Sequence, residues 1–337
     1  MMTVAIVVIL ICTIAIWWCS EQLAEGTDTL GRVYQIPAGV RGATLDAVAS
    51  SFPEFCAVVF ALIAGQFDAG VGVVAGSALF NILVIPAVVG LSVGGIEVRS
   101  SVIKRDGLLY VLVVAAFILA LYFGPAGEEP GTRMMSAWTG ITAILVYCAY
   151  VGLLVFQARS NQKQVESESA ASELDKEDEE SQSEEDSIPK SIGRIVLGMI
   201  GVGIACHFLV HYGLELVHLW GFSAAVAGVT ILAAATSLPD TLLSVFAARR
   251  GDSDGAIANA FASNTFDILI CLGLPIVVMG GLAMNWAEGW SILICLLLST
   301  LISIFFMITD WKITRTEAFV MLFLYIAFCV SIFLGWL

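Results

Sequence analysis

The chain has 337 residues, of which 59% are hydrophobic and only 13% are charged. Soluble globular domains carry about 25% charged residues, so this composition excludes a soluble chain and indicates a polytopic membrane protein. With 15 basic against 29 acidic residues, nucleic acid is excluded as a partner, and the eight cysteines lie mostly in apolar runs, which argues against a disulfide framework.

Ten apolar segments of about the length that a transmembrane helix requires follow one another along the chain. We expect spans at 3–19, 40–64, 69–93, 107–123, 136–157, 191–213, 221–248, 255–282, 288–309 and 317–336. The first segment lacks a basic region and a cleavage site, so a retained helix is expected rather than a signal peptide. The predicted fold is an all-α polytopic membrane protein with ten transmembrane helices.

The distribution of basic residues predicts the orientation, because cytoplasmic loops are enriched in Lys and Arg. With the N-terminus outside, fourteen of the fifteen basic residues fall in cytoplasmic loops and only Arg133 lies outside. Both termini are therefore expected outside, and the central loop in the cytoplasm. The expected location is the plasma membrane, or the inner membrane of a bacterium. The sequence does not indicate an oligomeric state.

Residues 158–190 interrupt the apolar pattern with eleven carboxylates and four basic residues. A segment this polar cannot bury enough apolar surface to fold alone, so we predict a flexible acidic cytoplasmic linker. A regulatory ion site or partner site in this segment is the alternative. The chain then divides into a first half, 1–157, the linker, 158–190, and a second half, 191–337.

An internal repeat relates the two halves. Residues 40–83 align without a gap to residues 226–269, and 16 of the 44 positions are identical at a constant offset of 186. Because each half holds five predicted helices, the second copy enters the membrane from the opposite side. Two inverted five-helix repeats are typical of secondary transporters with alternating access, although channels share the feature.

Each repeat carries a proline and a carboxylate in the middle of an apolar span. The first reads Ala-Ser-Ser-Phe-Pro-Glu at 49–54 and the second Ala-Thr-Ser-Leu-Pro-Asp at 235–240. Proline frees backbone carbonyls, and an unpaired carboxylate at membrane depth is costly. Since no predicted span core contains Lys or Arg, the natural counter-charge for Glu54 and Asp240 is a bound cation.

The following helix of each repeat adds a second polar cluster. Ser77 and Asn81 stand four residues apart, as do Ser263 and Asp267, so each pair shares one helix face. All these ligands are oxygens, which calcium prefers, whereas zinc and copper favour His and Cys. Asp267 has the neutral Asn81 as its repeat counterpart, and we therefore predict an additional monovalent-ion or proton site there.

The three histidines of the chain, His207, His211 and His218, lie outside both repeats. His207 and His211 have the four-residue spacing that can bind a metal on a helix. We interpret all three as packed or interfacial residues.

The two polar clusters resemble the α-repeats of the calcium/cation antiporter superfamily, the sodium/calcium exchangers. The run Gly-Ser-Ala-Leu-Phe-Asn-Ile-Leu at 76–83, Ser-Leu-Pro-Asp-Thr at 237–241 and Ser-Asn-Thr-Phe-Asp at 263–267 most resemble the potassium-dependent branch. The Gly-Asn-x-x-Glu motif of the proton/calcium exchangers is absent. Ala235 and Ala262 depart from the family pattern by replacing glycines.

The resemblance implies residue roles in exchange of sodium for calcium, with potassium co-transport left open. Calcium would be bound by Glu54 and Asp240. Sodium sites would use side chains of Ser50, Ser51, Ser77, Thr236, Ser237 and Ser263 and carbonyls near Ala47 and Ala233. Asp267 would match the position tied to potassium dependence, with Asn81 opposite it. Asn264, Thr44 and Thr230 belong to the same stretches as secondary candidates.

Three alternatives remain open at this point. A proton-driven calcium/cation antiporter stays within the same superfamily, and a calcium-permeable channel would also line its pore with carboxylates. An intramembrane enzyme could use Asp240 and Asp267 as an acid/base pair, but it would need neither the repeat nor the duplicated hydroxyls. We therefore expect a transporter rather than an enzyme, with inorganic cations as its partners and no cofactor.

Overall fold

Helices make up most of the computed structural model, which describes residues 1–36, 38–127, 129–169 and 187–335. Within these ranges, nine helices are long and apolar enough to cross a membrane. They are Met2–Val33, Thr44–Ile63, Phe67–Val93, Ala137–Gln157, Ile188–Leu219, Ala224–Arg249, Ser253–Val278, Trp286–Thr309 and Arg315–Phe333. The prediction of a helical polytopic membrane protein is confirmed.

Several spans consist of α-helical pieces joined by π-helical turns. The α-helices are α1 Met2–Val33, α2 Ala38–Arg41, α3 Ala47–Ile63, α4 Phe67–Val93, α5 Ser100–Val102, α6 Leu108–Tyr122, α7 Ala137–Ser169, α8 Ser187–Leu219, α9 Ala224–Val226, α10 Ala233–Thr236, α11 Leu238–Arg249, α12 Ser253–Phe266, α13 Gly273–Val278, α14 Trp286–Thr309 and α15 Arg315–Phe333. The π-helical segments are π1 Gly42–Asp46, π2 Ile103–Gly107, π3 Ala227–Leu232 and π4 Asp267–Leu272. Such turns are frequent at functional sites.

The segment predicted as a span at 107–123 is a shorter helix than its neighbours. The α6 helix has 15 residues, or roughly 22 Å at ~1.5 Å per residue, which is less than the ~30 Å hydrocarbon core. However, α5 and π2 extend the helical run back to Ser100. The count of ten spans therefore stays a prediction.

Several helices end at other residues than the predicted spans do, and α8, for example, continues to Leu219 rather than to 213. The first span was expected to end at 19, but α1 continues as a helix to Val33. Its charged second half contacts α8 through the ion pair of Glu25 with Arg194 at 2.9 Å. The span expected at 255–282 ends at Val278, and the chain then forms a strand.

Two short antiparallel ladders connect loops within the mostly helical fold. The strands are β1 Ile96–Glu97, β2 Thr132–Ser136, β3 Gly281–Asn285 and β4 Lys312–Ile313. β1 pairs with β4, and β2 pairs with β3. Each ladder joins a loop of one half to a loop of the other. Loops this short carry no periodic pattern, and their pairing partners are more than 140 residues away in the chain.

Matching aspartates also tie the halves together. Asp68 Oδ1 accepts a hydrogen bond from the backbone N–H of Asn285 at 2.9 Å, and Asp254 Oδ1 accepts one from the backbone N–H of Arg99 at 3.0 Å. Asp68 and Asp254 are repeat counterparts, and so are Arg99 and Asn285 at the same offset of 186. The contact therefore occurs twice, once in each direction.

Replacing Asp68 with Ala is expected to destabilise the protein more than replacing Asp254 with Ala. The bond to Asp68 is partly buried, whereas the bond to Asp254 is exposed. Asp254 also pairs with the exposed Arg99 guanidinium at 2.8 Å, but an exposed ion pair contributes only about 0–1 kcal/mol. A buried hydrogen bond to a charged group contributes about 1.5–3 kcal/mol. Thermal unfolding in detergent measures the order, with the exposed Asp310 as the control position for an Asp→Ala change. Equal losses for Asp68 and Asp254 would contradict the difference in burial.

The most buried span in the described ranges is α4, in which 94% of an apolar stretch of 18 residues is buried, against 72% of the corresponding stretch in its repeat counterpart α12–α13. By contrast, only 22% and 17% of the corresponding apolar stretches of α1 and α7 are buried. Large apolar side chains such as Leu10, Phe156 and Phe323 are exposed on the outer helices, as expected where a protein faces lipid. The second polar cluster of each repeat thus lies on a central helix.

The acidic linker predicted at 158–190 falls largely outside this description. Residues 170–186 are not among the described residues, and they hold nine of its eleven carboxylates. The described helices α7 and α8 end and begin on either side of them.

Candidate functional site

The two prolines shape the helices that carry Glu54 and Asp240. Pro53 lies inside α3, and Pro239 lies in the first turn of α11. Because proline has no N–H, the carbonyl four residues earlier loses its helical partner. The two motifs nevertheless differ, since α3 runs through its proline without a break whereas a bend at Ser237 separates α10 from α11.

Hydroxyl groups from both repeats surround Glu54, which is fully buried. Ser237 Oγ donates to Glu54 Oε1 at 3.0 Å, and Ser77 Oγ lies 3.3 Å from the same oxygen. Ser77 Oγ also lies 3.3 Å from Asp267 Oδ2 and 2.8 Å from Ser237 Oγ. A hydroxyl has one proton, so Ser77 cannot donate to both carboxylates at once. The hydroxyl donors are therefore too few to satisfy the oxygens of the Glu54 and Asp267 carboxylates.

Asp240, also fully buried, is enclosed in the same way. Asn81 Nδ2 donates to Asp240 Oδ2 at 3.4 Å, and the hydroxyls of Ser50 and Ser263 lie 3.1 Å apart beside this carboxylate. Ser50 and Asn81 come from the first repeat and Asp240 from the second. The two clusters predicted from sequence therefore meet in one site.

Five buried carboxylate and amide oxygens of this site, and the hydroxyl oxygen of Ser51, have no hydrogen-bond partner within the described ranges. The five are Glu54 Oε2, Asn81 Oδ1, Asp240 Oδ1, Asn264 Oδ1 and Asp267 Oδ1. Leaving a buried acceptor unpaired costs about 1–3 kcal/mol, and native proteins contain few such groups. Carboxylate and amide oxygens are the ligands that Ca²⁺ prefers, so the site has the donor set of a cation site.

The charge of the site is not neutralised by the protein. Glu54, Asp240 and Asp267 take part in none of the ion pairs found among the described residues. In that part of the chain, no three His, Cys, Asp or Glu side chains lie close enough to hold one metal ion. A cation here would also need hydroxyl, amide and carbonyl oxygens, as hard cations with six to eight ligands do.

The carbonyls of Ala47 and Ala233 occupy matching places. Ala47 O accepts from Ser50 Oγ at 3.4 Å, and Ala233 O accepts from Thr236 Oγ1 at 3.2 Å. Ser51, the remaining predicted hydroxyl, is buried beside Asp267. All eight predicted sodium ligands thus lie on the helices that form the site.

The three secondary candidates have other partners. Thr44 and Thr230 donate to the carbonyls four residues earlier, at 2.7 and 2.5 Å, which is a common use of a helical threonine. Asn264 Nδ2 donates to the carbonyl of Ala78 at 3.1 Å, and Ala78 is the repeat counterpart of Asn264. Asn264 therefore links the two central helices at the site.

Asn259 was missed by the sequence reasoning. Its side chain lies beside Asp240, although its repeat counterpart is the apolar Val73. The residues at 259, 263 and 267 follow one another at four-residue spacing on one helix face. That spacing is the signal in the sequence that identifies Asn259. Comparison between the repeats gives no such signal, because the counterpart position is apolar.

Two cavities border the helices that carry Glu54 and Asp240, and each is lined by one member of a repeat-related pair of phenylalanines. The first, the α8 cavity, lies between the end of α3 and α8, includes Phe60 and has a volume of about 640 Å³. The second, the α1 cavity, lies between α1 and α11, includes Phe246 and has a volume of about 30 Å³. Phe60 and Phe246 are repeat counterparts. The two cavities thus contact counterpart phenylalanines but differ greatly in volume.

Comparison with known proteins identifies the family. The family model for the sodium/calcium exchanger protein matches residues 4–156 and 190–334. The chain belongs to the sodium/calcium exchanger family. It is accordingly an integral membrane transporter and not an enzyme. The match covers both halves and leaves out most of the acidic linker.

Individual relatives match this exchanger over different shares of its length. The inner membrane protein YrbG of Escherichia coli is 25% identical over 313 residues, which cover 92% of this chain and 90% of YrbG. The sodium/potassium/calcium exchanger 3 of Homo sapiens is 29% identical over 160 residues, which cover 46% of this chain but 23% of that protein. The potassium-dependent branch is therefore matched over a part only.

Two solved structures share the fold of this exchanger. The sodium-calcium exchanger NCX_Mj has a TM-score of 0.64 at 22% identity, covering 98% of this chain and 99% of the other. The H⁺/Ca²⁺ exchanger CAX has a TM-score of 0.74 at 14% identity, covering 96% and 81%. Identities this low establish the fold alone. They confirm the predicted two-repeat helical architecture.

Proposed function

We propose that this protein exchanges Na⁺ for Ca²⁺ across the membrane. The observation that carries the proposal is the set of unpaired buried oxygens, three of them on carboxylates that have no basic partner and two on amides. Burying charges at membrane depth is costly unless a counter-charge is supplied. A site built in this way is stable only with cations or protons bound, which is the property that coupled exchange needs.

Calcium is assigned to Glu54 and Asp240, which contribute one carboxylate from each repeat. The hydroxyls and carbonyls around them supply weaker oxygen ligands suited to Na⁺, namely those of Ser50, Ser51, Ser77, Thr236, Ser237, Ser263, Ala47 and Ala233. Because Ser77 and Ser237 contact Glu54 directly, sodium and calcium would share ligands. Shared ligands make binding of the two ions mutually exclusive.

Alternating access is supported by the unequal cavities. If the α8 cavity and the α1 cavity are equivalent crevices, then closing one while opening the other exposes the site to opposite sides in turn. Glu54 and Asp240 are fully buried, so the open crevice stops short of the site. We propose that α1 and α8, which pack on each other, move as a pair over the remaining helices.

Orientation and division of the chain complete the proposal. We propose that both termini face outward and that residues 158–190 form a cytoplasmic linker between halves 1–157 and 191–337. With this orientation the α8 cavity opens outward. The plasma membrane, or the inner membrane of a bacterium, is the proposed location, and Ca²⁺ extrusion is the proposed direction.

Calcium uptake into proteoliposomes preloaded with Na⁺ tests the exchange. Uptake is expected only with internal Na⁺, and external K⁺ is then compared with choline. A requirement for K⁺ would assign the protein to the potassium-dependent type, and indifference to K⁺ would leave plain Na⁺/Ca²⁺ exchange. Uptake driven by a proton gradient without Na⁺ would replace the proposal with H⁺/Ca²⁺ exchange, and flux without any counter-ion would indicate a channel.

Asp267 is proposed as the site of an additional monovalent ion or proton. Asp267→Asn is therefore expected to abolish the dependence of calcium uptake on K⁺ or on pH. Calcium uptake should persist because Glu54 and Asp240 remain, while the response to K⁺ or to pH is lost. The matched control is the double variant Asn81→Asp with Asp267→Asn, which moves the acid to the repeat counterpart and keeps the charge of the site. Unchanged K⁺ and pH responses in Asp267→Asn would contradict this assignment.

A further inference from the structure

The α8 cavity contains a row of metal-binding side chains that the proposed ion site does not use. His207, His211, Glu215 and His218 all line it. They follow one another at intervals of four, four and three residues on α8, so they occupy one face of the helix. The ion site, by contrast, is built from oxygen ligands.

The opposite wall of the cavity is largely apolar. It includes Phe60, Ile63 and Ala64 at the end of α3, and the Phe60 and His207 rings meet edge to face with centroids 5.2 Å apart. His207 and His211 are both exposed, and in the described part of the chain neither takes part in an ion pair. Their imidazoles are therefore accessible from the cavity and are not engaged by any of these ion pairs.

We propose that His207 and His211 form a binding site for a borderline transition-metal ion such as Zn²⁺, Ni²⁺ or Cu²⁺. Two histidines four residues apart on a helix present their rings to one metal ion, and imidazole is a preferred ligand of these metals. No group of three His, Cys, Asp or Glu side chains is gathered for a metal within the described residues. The site is thus a two-histidine site whose remaining positions are open to water, with Glu215 one turn further along.

Bound metal would inhibit exchange through its position in the cavity, an effect that rests on the proposed function. The ion would attach to α8 and lie against the end of α3, beside Phe60. Movement of α8 relative to α3 closes this crevice in the proposed cycle, and an ion with its water ligands would keep the crevice open. Inhibition of this kind is not relieved by more Ca²⁺, because the two ions occupy different sites.

Direct binding of Zn²⁺ to the purified protein in detergent tests the site without reference to transport. Wild-type protein is expected to bind one Zn²⁺ per chain at this site. Removing a hydrogen-bond partner of a metal ligand already weakens metal binding by about 10- to 100-fold. Loss of a ligand itself, in His207→Gln or His211→Gln, should therefore weaken the affinity for Zn²⁺ by at least about tenfold. His218→Gln is the matched control, because it lines the same cavity outside the proposed pair.

Zn²⁺ inhibition of calcium uptake tests the consequence, with each variant normalised to its own rate without Zn²⁺. Inhibition should weaken in His207→Gln and His211→Gln, persist in His218→Gln and be independent of Ca²⁺ concentration. Absence of Zn²⁺ binding, or equal loss in His218→Gln, would overturn the site. Inhibition that survives in both histidine variants would place the metal at the carboxylates instead. Zn²⁺ binding without any Na⁺-dependent Ca²⁺ uptake would refute the proposed function and leave the metal site standing.

Discussion

Glu54→Gln and Asp240→Asn are each expected to abolish Na⁺-driven Ca²⁺ uptake while leaving the protein folded. Each change removes one charge and retains the size of the side chain. Removing one partner of a buried charge pair costs about 3–5 kcal/mol, which corresponds to at least about a 100-fold loss of calcium affinity. Uptake into Na⁺-loaded proteoliposomes over a range of Ca²⁺ concentrations measures the effect.

The control for these variants is Glu97→Gln, which neutralises an exposed carboxylate in β1. It should transport as the wild type does. Stability without added cations gives a second readout, because neutralising a crowded buried carboxylate relieves repulsion within the site. Glu54→Gln and Asp240→Asn are therefore expected to unfold at the same temperature as the wild type or above it when Ca²⁺ and Na⁺ are absent. Near-normal calcium affinity in either variant would refute the assigned ligands.

The sequence was sufficient to predict which polar residues converge, because the repeat marked them twice. The motif ending at Glu54 recurs at Asp240, and Ser77 recurs as Ser263, all at one offset. An isolated polar residue in a membrane helix has many explanations, but a duplicated set on two helices has few. The hydrogen bonds that join the repeats, such as Ser237 to Glu54, bring together the residues that the pattern singled out.

The sequence could not predict the features in which the halves differ. A π-helical turn begins at Asp267, whereas Asn81, its counterpart, lies in the regular helix α4. Asn259 stands beside Asp240, but its counterpart is Val73. The unequal volumes of the two cavities are another difference between the halves, because they depend on how α1 and α8 lie against the core. Matching positions between repeats reveals what is shared and is insensitive to such differences.

Boundaries and loop pairings were missed for a different reason. Hydropathy reports the apolar length of a helix, and α1 continues beyond that length as a charged helical end that contacts α8 through Glu25 and Arg194. The ladders between β1 and β4 and between β2 and β3 join segments distant in the chain. Neither feature leaves a local periodic signal.

Gly76→Ala is expected to impair both folding and transport, since α4 packs directly on the backbone of π3 at this position. A Cβ atom at Gly76 would lie 2.6 Å from Val229 Cα and 2.8 Å from Ala233 Cβ, and it would also clash with the Val229 carbonyl oxygen. Backbone cannot rotate aside as a side chain can, so α4 must move. Overpacking of this kind costs about 1–3 kcal/mol.

The move would also displace Ser77, the next residue, from Ser237, with which it makes a 2.8 Å contact. A displacement of about 1 Å in a positioned group can reduce a rate by about 100-fold, so transport is expected to fall further than stability. Gly203→Ala in α8 is the control, because a Cβ there meets no atom within 4 Å. Thermal unfolding and calcium uptake measured on both variants separate the two effects. If Gly76→Ala transports and unfolds as the wild type does, the close approach of α4 and π3 does not set the geometry of the site.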